Sequence, residues 1–398
     1  MTRRRGLFLG VSVMVMMVLL TAAMFGQVTE KDNLYRYLST FTEVFSLVRS
    51  SYVEEVPSDQ LVDGAFSGVT DAIDEYSYYV PPSQIGAFKG MSAGTADTLG
   101  MVVTKRFGYG YVIAPVKGSP AEKAGVEAGD FIEKINDSST APMAVWQISA
   151  ALQDPKKPVV NLIVLRGGMS KRENFEIKRS PYHFPPLSSE KYGSVAYVKI
   201  PYFDSGSAAR FGEFLQKTKS AGVKKLIVDV RGNSGGSPEE AIKAADELLS
   251  RGTITSLSGR RVDAQKWQAD AGVAYEGEVH VLVDSSTAGP AEIFASAILG
   301  NQRGKLVGVA TYGKAGVQKL VNLTTGGALY ITVGHYTTPE LKPIKEQGVR
   351  PDVIVDLSGR SVPGAESGAE SDKEDVILKK ALSLFGEKLP LSEDKAAA

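Results

Sequence analysis

The stretch STAGPAEI, residues 286–293, lies between an apolar run that reads as a strand, VHVLVD (279–284), and a run that reads as a helix, AEIFASAILG (291–300). A strand-to-helix junction is where a hydrolase commonly displays its nucleophile. Here the turn itself reads Ala288-Gly289-Pro290, with Ser285 and Ser286 upstream and Glu292 downstream. A second stretch, TYGKAG (311–316), sets Lys314 between Gly313 and Gly316 on the loop that follows the apolar strand KLVGVAT (305–311). A third, DVRGNSGGSPEEA (229–241), holds the pair Gly235-Gly236 in the turn between the strand KKLIVDV (224–230) and a helix. The chain has no cysteine, which excludes disulfides, thiolate catalysis and cysteine-ligated metals. Its three histidines, His183, His280 and His335, are scattered, so no zinc site and no cofactor is expected.

The elements that must position these residues follow from pattern. Between 192 and 356, apolar β-rich runs alternate with helical ones: a strand at 224–230, a helix at 238–250, a strand at 279–284, a helix at 291–300, and strands at 305–311 and 328–336. That alternation predicts an α/β core with largely parallel strands. Residues 32 to about 89 read as helical: LYRYLSTFTEVFSLVRSSYV spaces its apolar residues for a helix, and Pro81-Pro82 is a stop. From 94 to 179 the texture changes to short strands and glycine turns. The stretch after Leu357, SGRSVPGAESGAESDKED, is a polar linker with a disordered composition, and a short helix, VILKKALSLFG, follows it.

Charge and address bound the setting. Lys+Arg is 45 and Asp+Glu is 45, a balance that gives no support for a nucleic-acid partner. Arg3-Arg4-Arg5 precedes about 20 uncharged residues, 6–25, a pattern read as an export signal with the arginines held inside. That length also suffices to span a bilayer, so a cleaved signal peptide and an uncleaved anchor are both open. Either places the rest of the chain in the periplasm or on the outer face of the cell membrane, with membrane attachment through 6–25 in the second case.

The stretch SPAEKAGVEAGDFIEKIND (119–137) orders a helix start, a turn at Gly125, a second turn at Ala128-Gly129-Asp130 and a strand. This resembles a PDZ domain of the bacterial, protease-associated type over residues 92–179. TLGMVV (98–103) resembles its carboxylate-binding loop and binding strand. The resemblance implies that Leu99, Gly100, Met101 and Val102 receive a peptide, the backbone N–H groups taking the terminal carboxylate and the peptide adding as a strand. The helix MAVWQISAALQ (143–153) would line the other side of the groove.

Three further stretches, DVRGNSGGSPEEA, STAGPAEIFASAI followed by GVATYGKAGVQ (308–318), and GVRPDVIVD (348–356), together with Asp74-Glu75-Tyr76-Ser77, resemble the tail-specific or carboxy-terminal processing serine peptidases over residues 35–357. The resemblance implies a protease-like core at 185–357. Its chemistry is a serine nucleophile with a lysine base, a variant of the triad logic. Lys314 matches the base, which must be desolvated to be neutral near pH 7. Glu292 matches an acidic position that orients the lysine. Gly235 and Gly236 resemble half of an oxyanion hole. In these enzymes the nucleophile lies three residues before the acid and 25 before the lysine, and both counts lead to position 289, which is Gly here. The next residue supplies the other oxyanion N–H; here it is Pro290, which has none. A further acidic position falls at about Gly300. Ser286 or Ser285 could serve only if the loop brought a hydroxyl to Lys314, because catalysis tolerates little misplacement.

The expectation is therefore an exported member of this family that binds the C-terminal tails of envelope proteins through its PDZ domain. It is either a Ser/Lys endopeptidase with an unconventional nucleophile or a non-catalytic adaptor or inhibitor of other proteases. The address is tested by fusing residues 1–30 to a reporter, which should appear outside the inner membrane. A mature chain beginning after residue 23 or 26 identifies a cleaved signal, an intact Met1 in the membrane fraction an anchor, and a cytoplasmic reporter refutes export.

Overall fold

The computed structural model describes residues 2–90, 99–154, 156–270, 272–345, 347–357 and 375–389; within the first helix it describes the side chains of 13–18 and 33–51. Thr98, at the start of the PDZ-like binding loop, and the polar linker at 358–374 lie outside the described residues. The chain divides into two compact units, Met1–Val69 and Thr70–Ala398.

The first unit is helical, with helices Thr2–Ser51 and Ser58–Asp71. Among the described residues no helix is long and apolar enough to cross a membrane. The helical reading up to Lys89 needs correction beyond Asp71. Tyr78–Val80 is a strand, paired antiparallel with residues 328–330. The run Tyr78-Tyr79-Val80 is aromatic and β-branched, and a strand partner distant in sequence overrides any helical spacing. The chain then resumes a 3-10 turn, Pro82–Gln84, and a helix, Ile85–Gly90.

Residues 99–178 form an antiparallel sheet in the order Met101–Arg106, Tyr109–Pro115, Phe131–Ile135, Val159–Arg166, Lys171–Lys178. Helices Pro120–Lys123 and Val145–Gln153 close it over a core of Leu99, Val112, Ile132, Ile148, Leu152 and Leu162. Ser119 caps the first of these helices by accepting from Glu122 N. Asp130, fully buried in the AGD turn, is held by a bidentate pair from Arg166 at 2.7 Å each.

Met101–Arg106 is an edge strand, and an edge offers unpaired backbone groups to an added strand. The Leu99 carbonyl accepts from Ala121 N at 2.8 Å, and the Gly100 carbonyl accepts from Val116 N and Ser119 Oγ at 2.7 and 2.9 Å. In a trans peptide the following N–H points the opposite way, so the amides of Gly100 and Met101 face away from residues 116–121. Gly100 has φ +73°, and a Cβ there would lie 2.1 Å from Ser119 Cβ, so only glycine builds this loop.

The second layer system is a six-stranded sheet in the order Val353–Ile354, Gly304–Gly308, Glu278–Val283, Lys225–Asp229, Val195–Lys199, Ser188–Tyr192. Every neighbouring pair is parallel except the last. Side chains alternate between two cores. Val198, Leu226, Val228, Val281 and Leu306 face helices Ser207–Ser220, Pro238–Asp246 and Pro290–Gly300. Tyr197, Ile227, Leu282 and Val307 face the C-terminal helix Val376–Leu384. The strand at 328–336 does not join this sheet. Ala328–Thr337 is central to a separate antiparallel sheet with Tyr78–Val80, Thr253–Gly259, Val262–Gln268 and Gly316–Asn322.

A peptide with a free terminal carboxylate and an apolar last residue is expected to bind the Met101–Arg106 edge at least several-fold more tightly than its C-terminal amide. Fluorescence anisotropy with both forms checks this, and equal affinities would remove the carboxylate-loop role of Gly100 and Met101.

Candidate active site

Three loops leave the carboxyl ends of three adjacent parallel strands, Lys225–Asp229, Glu278–Val283 and Gly304–Gly308. Parallel strands deliver their following loops to one edge of the sheet, where sites of open α/β folds are built. The loops are the 231–237 turn, the 284–289 turn and the 309–315 loop, and backbone bonds tie them together. Ala288 N donates to Asn233 O at 2.9 Å, and Tyr312 N donates to Thr287 O at 2.9 Å.

Glu292 is the hub. It sits in the first turn of helix Pro290–Gly300, fully buried. Its carboxylate accepts from Gly289 N at 2.9 Å, Gly313 N at 2.7 Å and Lys314 N at 2.8 Å, and also from the Thr311 hydroxyl. Thr311 Oγ1 in turn accepts from Val349 N at 2.7 Å. Burial pushes the Glu292 carboxyl up to about 7, although all four donors pull the other way. Lys314 is partly buried, and burial lowers its ammonium pKa from the usual value while the Glu292 charge raises it. Desolvation of this kind is what a lysine base requires.

Gly289 has φ +62° and ψ −120°, a sharp strand-to-helix turn of the sort that displays a nucleophile. A Cβ built on it would meet only Lys314 O, at an ordinary 3.5 Å. The turn thus has the shape and the space for a side chain, at a conformational cost of about 1–3 kcal/mol for a residue other than glycine. Pro290 occupies the first helical position, where its missing N–H disturbs no helical bond.

The Gly235-Gly236 turn is pinned on both sides of the pair. Phe203 N donates to Gly235 O at 3.3 Å and Ser237 N donates to Phe203 O at 2.8 Å. Gly236, at φ +115°, presses so closely on Phe203 that a Cβ would lie 2.4 Å from its carbonyl oxygen. The N–H groups of Gly235 and Gly236 make no hydrogen bond among the described residues. Beside the turn, Asp229 is fully buried. Burial alone would push its carboxyl up, but Arg231 and Lys199 hold it well below the usual range. Arg231 pairs bidentately with both Asp229 and Asp375, the N-cap of the C-terminal helix.

The structure therefore brings Gly289, Glu292, Lys314 and the Gly235-Gly236 turn into one centre. Ser286 is held apart in its own turn. Its N–H donates to Asp284 Oδ1 at 3.0 Å, an oxygen shared with Thr287 Oγ1 and Gly232 N, and no hydrogen bond joins Ser286 to Lys314 among the described residues. The PDZ-loop residues Leu99, Gly100, Met101 and Val102 form the separate edge described above. Sequence reasoning missed Thr311 and Tyr312, though both lie in or beside TYGKAG. It also missed the role of Tyr76 in DEYS, whose hydroxyl bonds that of Tyr312. A cavity of about 360 Å³ opens beside Gly313, lined also by Asp74, Tyr76, Arg106 and Tyr312. Tyr111, on the edge-strand hairpin, lies 6.0 Å from Tyr312 between ring centres.

Residues 194–355 match the model of peptidase family S41, and residues 111–166 match that of the PDZ domain. Residues 194–355 thus form the S41-like region of the chain. A carboxy-terminal-processing protease of Bartonella bacilliformis is 29% identical over 358 residues, covering 88% of this chain and 81% of that protein. A probable CtpA-like serine protease of Staphylococcus aureus is 28% identical over 371 residues, covering 91% and 74%. Among solved structures, the photosystem II D1 C-terminal processing protease superposes with a TM-score of 0.67 at 24% identity, covering 79% of this chain and 92% of that one, a likeness of fold. The chain thus pairs a mixed α/β protease-like core with a β-rich PDZ domain.

Because the folded Glu292 carboxyl titrates near 7 and an ordinary one near 4.5, the native state holds a proton that the unfolded chain releases. The contribution of Glu292 to stability therefore falls as pH rises from about 4.5 to about 7, by about 3 kcal/mol. Urea unfolding at pH 5 and pH 8 should show wild type losing that much relative to Glu292→Gln, which cannot titrate. A difference that does not change with pH would show that the carboxyl titrates normally.

Proposed function

We propose that this protein is an exported peptide-binding member of the S41 family that holds the C-terminal tails of envelope proteins through its PDZ domain and does not cleave them by an acyl-enzyme route. The observation that carries the reading is Gly289 followed by Pro290 at the strand-to-helix turn. Position 289 has no atom to acylate. Position 290 has no N–H to donate to the developing oxyanion, and one such donor alone is worth roughly a hundred-fold or more in rate. Loss of the nucleophile removes far more. Glu292, Lys314 and the glycine turn remain in place, so the centre keeps its shape and its donors while lacking the bond-forming group.

The tail-binding part rests on the free edge Met101–Arg106 and on the outward amides of Gly100 and Met101. Export rests on Arg3-Arg4-Arg5 and the apolar run at 6–25, which delivers the chain to the periplasm or holds it on the outer face of the membrane. Acting there without cleaving, the protein serves as an adaptor that presents tails to, or an inhibitor that withholds them from, other proteases.

Wild-type protein is expected to show no hydrolysis of an unstructured polypeptide that depends on Lys314, and no labelling by serine-directed phosphonates. Gly289→Ser alone should add little, since Pro290 still offers no donor. Gly289→Ser with Pro290→Ala should yield measurable, Lys314-dependent cleavage above either single variant. Robust wild-type cleavage lost in both Ser286→Ala and Lys314→Ala would overturn the reading and move the nucleophile to Ser286.

A further inference from the structure

We propose that the Gly289–Lys314 centre is itself a second carboxylate-binding site, which takes the terminal carboxylate of a polypeptide. The proposal rests on the reading that no acyl-enzyme forms there, and it goes beyond the PDZ groove to a different part of the molecule.

Four observations on these loops support the proposal. The Lys314 ammonium makes no ion pair or hydrogen bond among the described residues, although the side chain is partly buried. The nearest carboxylate, Glu292, is taken up by four donors, of which Lys314 contributes only its backbone N–H. A cation withdrawn from water without its own counter-ion is costly, and an anionic ligand relieves that cost. Second, the N–H groups of Gly235 and Gly236 are unbonded among the described residues, on a turn tied to the elbow through Ala288 N and Asn233 O at 2.9 Å. Third, Gly289 leaves vacant the volume a side chain would fill, where a built Cβ has only one neighbour within 4 Å. Fourth, helix Pro290–Gly300 starts here, and its positive end favours negative charge.

These groups discriminate in favour of a carboxylate. A peptide carbonyl carries partial charge and takes one or two hydrogen bonds. A terminal carboxylate carries a full charge and two acceptor oxygens, and it suits an ammonium together with two backbone donors. Without a nucleophile, nothing converts a bound carbonyl into an oxyanion, so the full charge available to these donors is that of a chain end. The ligand class is thus the free C-terminus of a peptide, the same chemistry as the PDZ groove accepts, held at a second place.

The test uses the full chain and a fluorescent decapeptide ending in Ala-Ala with a free carboxylate. Titration calorimetry of wild type should give two peptides per chain. Gly100→Val, which collides with Ser119 in the PDZ loop, should leave one. In the Gly100→Val background, adding Lys314→Met or amidating the peptide should weaken the remaining site at least tenfold. As a check that needs no active-site substitution, the peptide acid should protect Lys314 from acetylation by acetic anhydride, read by mass spectrometry, and the amide should not. A single binding event abolished by Gly100→Val, or a remaining site indifferent to amidation, or equal acetylation with acid and amide, overturns the proposal while leaving the non-catalytic reading intact. Lys314-dependent cleavage of the decapeptide by wild type overturns the non-catalytic reading and the proposal with it.

Discussion

The carboxylate of Glu292 fixes the geometry on which the centre depends. It gathers the amide of Gly289 at the elbow, the amides of Gly313 and Lys314 and the hydroxyl of Thr311. These groups come from two loops that are otherwise joined by the bond from Tyr312 N to Thr287 O. Each is a backbone or side-chain donor that would carry a desolvation cost of about 1–3 kcal/mol if buried unpaired. A single acid with four lone-pair sites satisfies all of them, and it does so only in this arrangement of elbow and lysine loop. The helix N-terminus that carries Glu292 adds the favourable end of its dipole, while the dry surroundings push the acid towards neutrality. This hub holds the shape of the centre with glycine at position 289.

The parallel sheet supplies the second constraint. Its three middle strands end level, with Asp229 paired to Leu282 and Val283 to Gly308, so the loops that follow emerge side by side. The glycine turn is braced from the opposite face as well. Arg231 spans Asp229 and Asp375, which joins the turn to the N-cap of the C-terminal helix. A chain of aromatic contacts runs from the PDZ loop to the same turn. A Cβ at Gly100 would touch Tyr182, Tyr182 meets Phe184 edge-on, Phe184 stacks on Tyr202 at 3.9 Å, and Tyr202 lies against Gly235. The peptide edge and the catalytic-like centre are thus separate sites with a continuous packed path between them.

Glycine and proline at the adjacent positions 289 and 290 are structurally favourable. Glycine is the residue best suited to φ +62°, and proline is well suited to the first position of a helix. The first avoids strain at a positive φ, and the second lowers the entropy of the unfolded chain. A residue with a side chain at position 289 would store strain in this turn, and Gly289 avoids it.

Much of this was legible in the sequence because it resides in short-range patterns. Alternating β-rich and helical runs fixed the parallel core, the order of glycine turns marked the PDZ fold, and residue counting led to Gly289. The resemblance to the tail-specific peptidases singled out Glu292, Lys314 and the Gly235-Gly236 turn. Only the tertiary structure decided the rest, since it depends on pairing between distant segments. Tyr78–Val80 becomes a strand because Ala328–Thr337 offers it an edge 250 residues away in sequence. Thr311 and Tyr76 gain their roles from partners at Glu292, Val349 and Tyr312. Ser286, three residues before Gly289 and a candidate by type, has its backbone N–H held in the Asp284 turn. Residue identity and spacing can nominate a nucleophile, but the hydrogen bonds that hold a hydroxyl towards or away from a lysine are made across the sheet and appear only when the chain is folded.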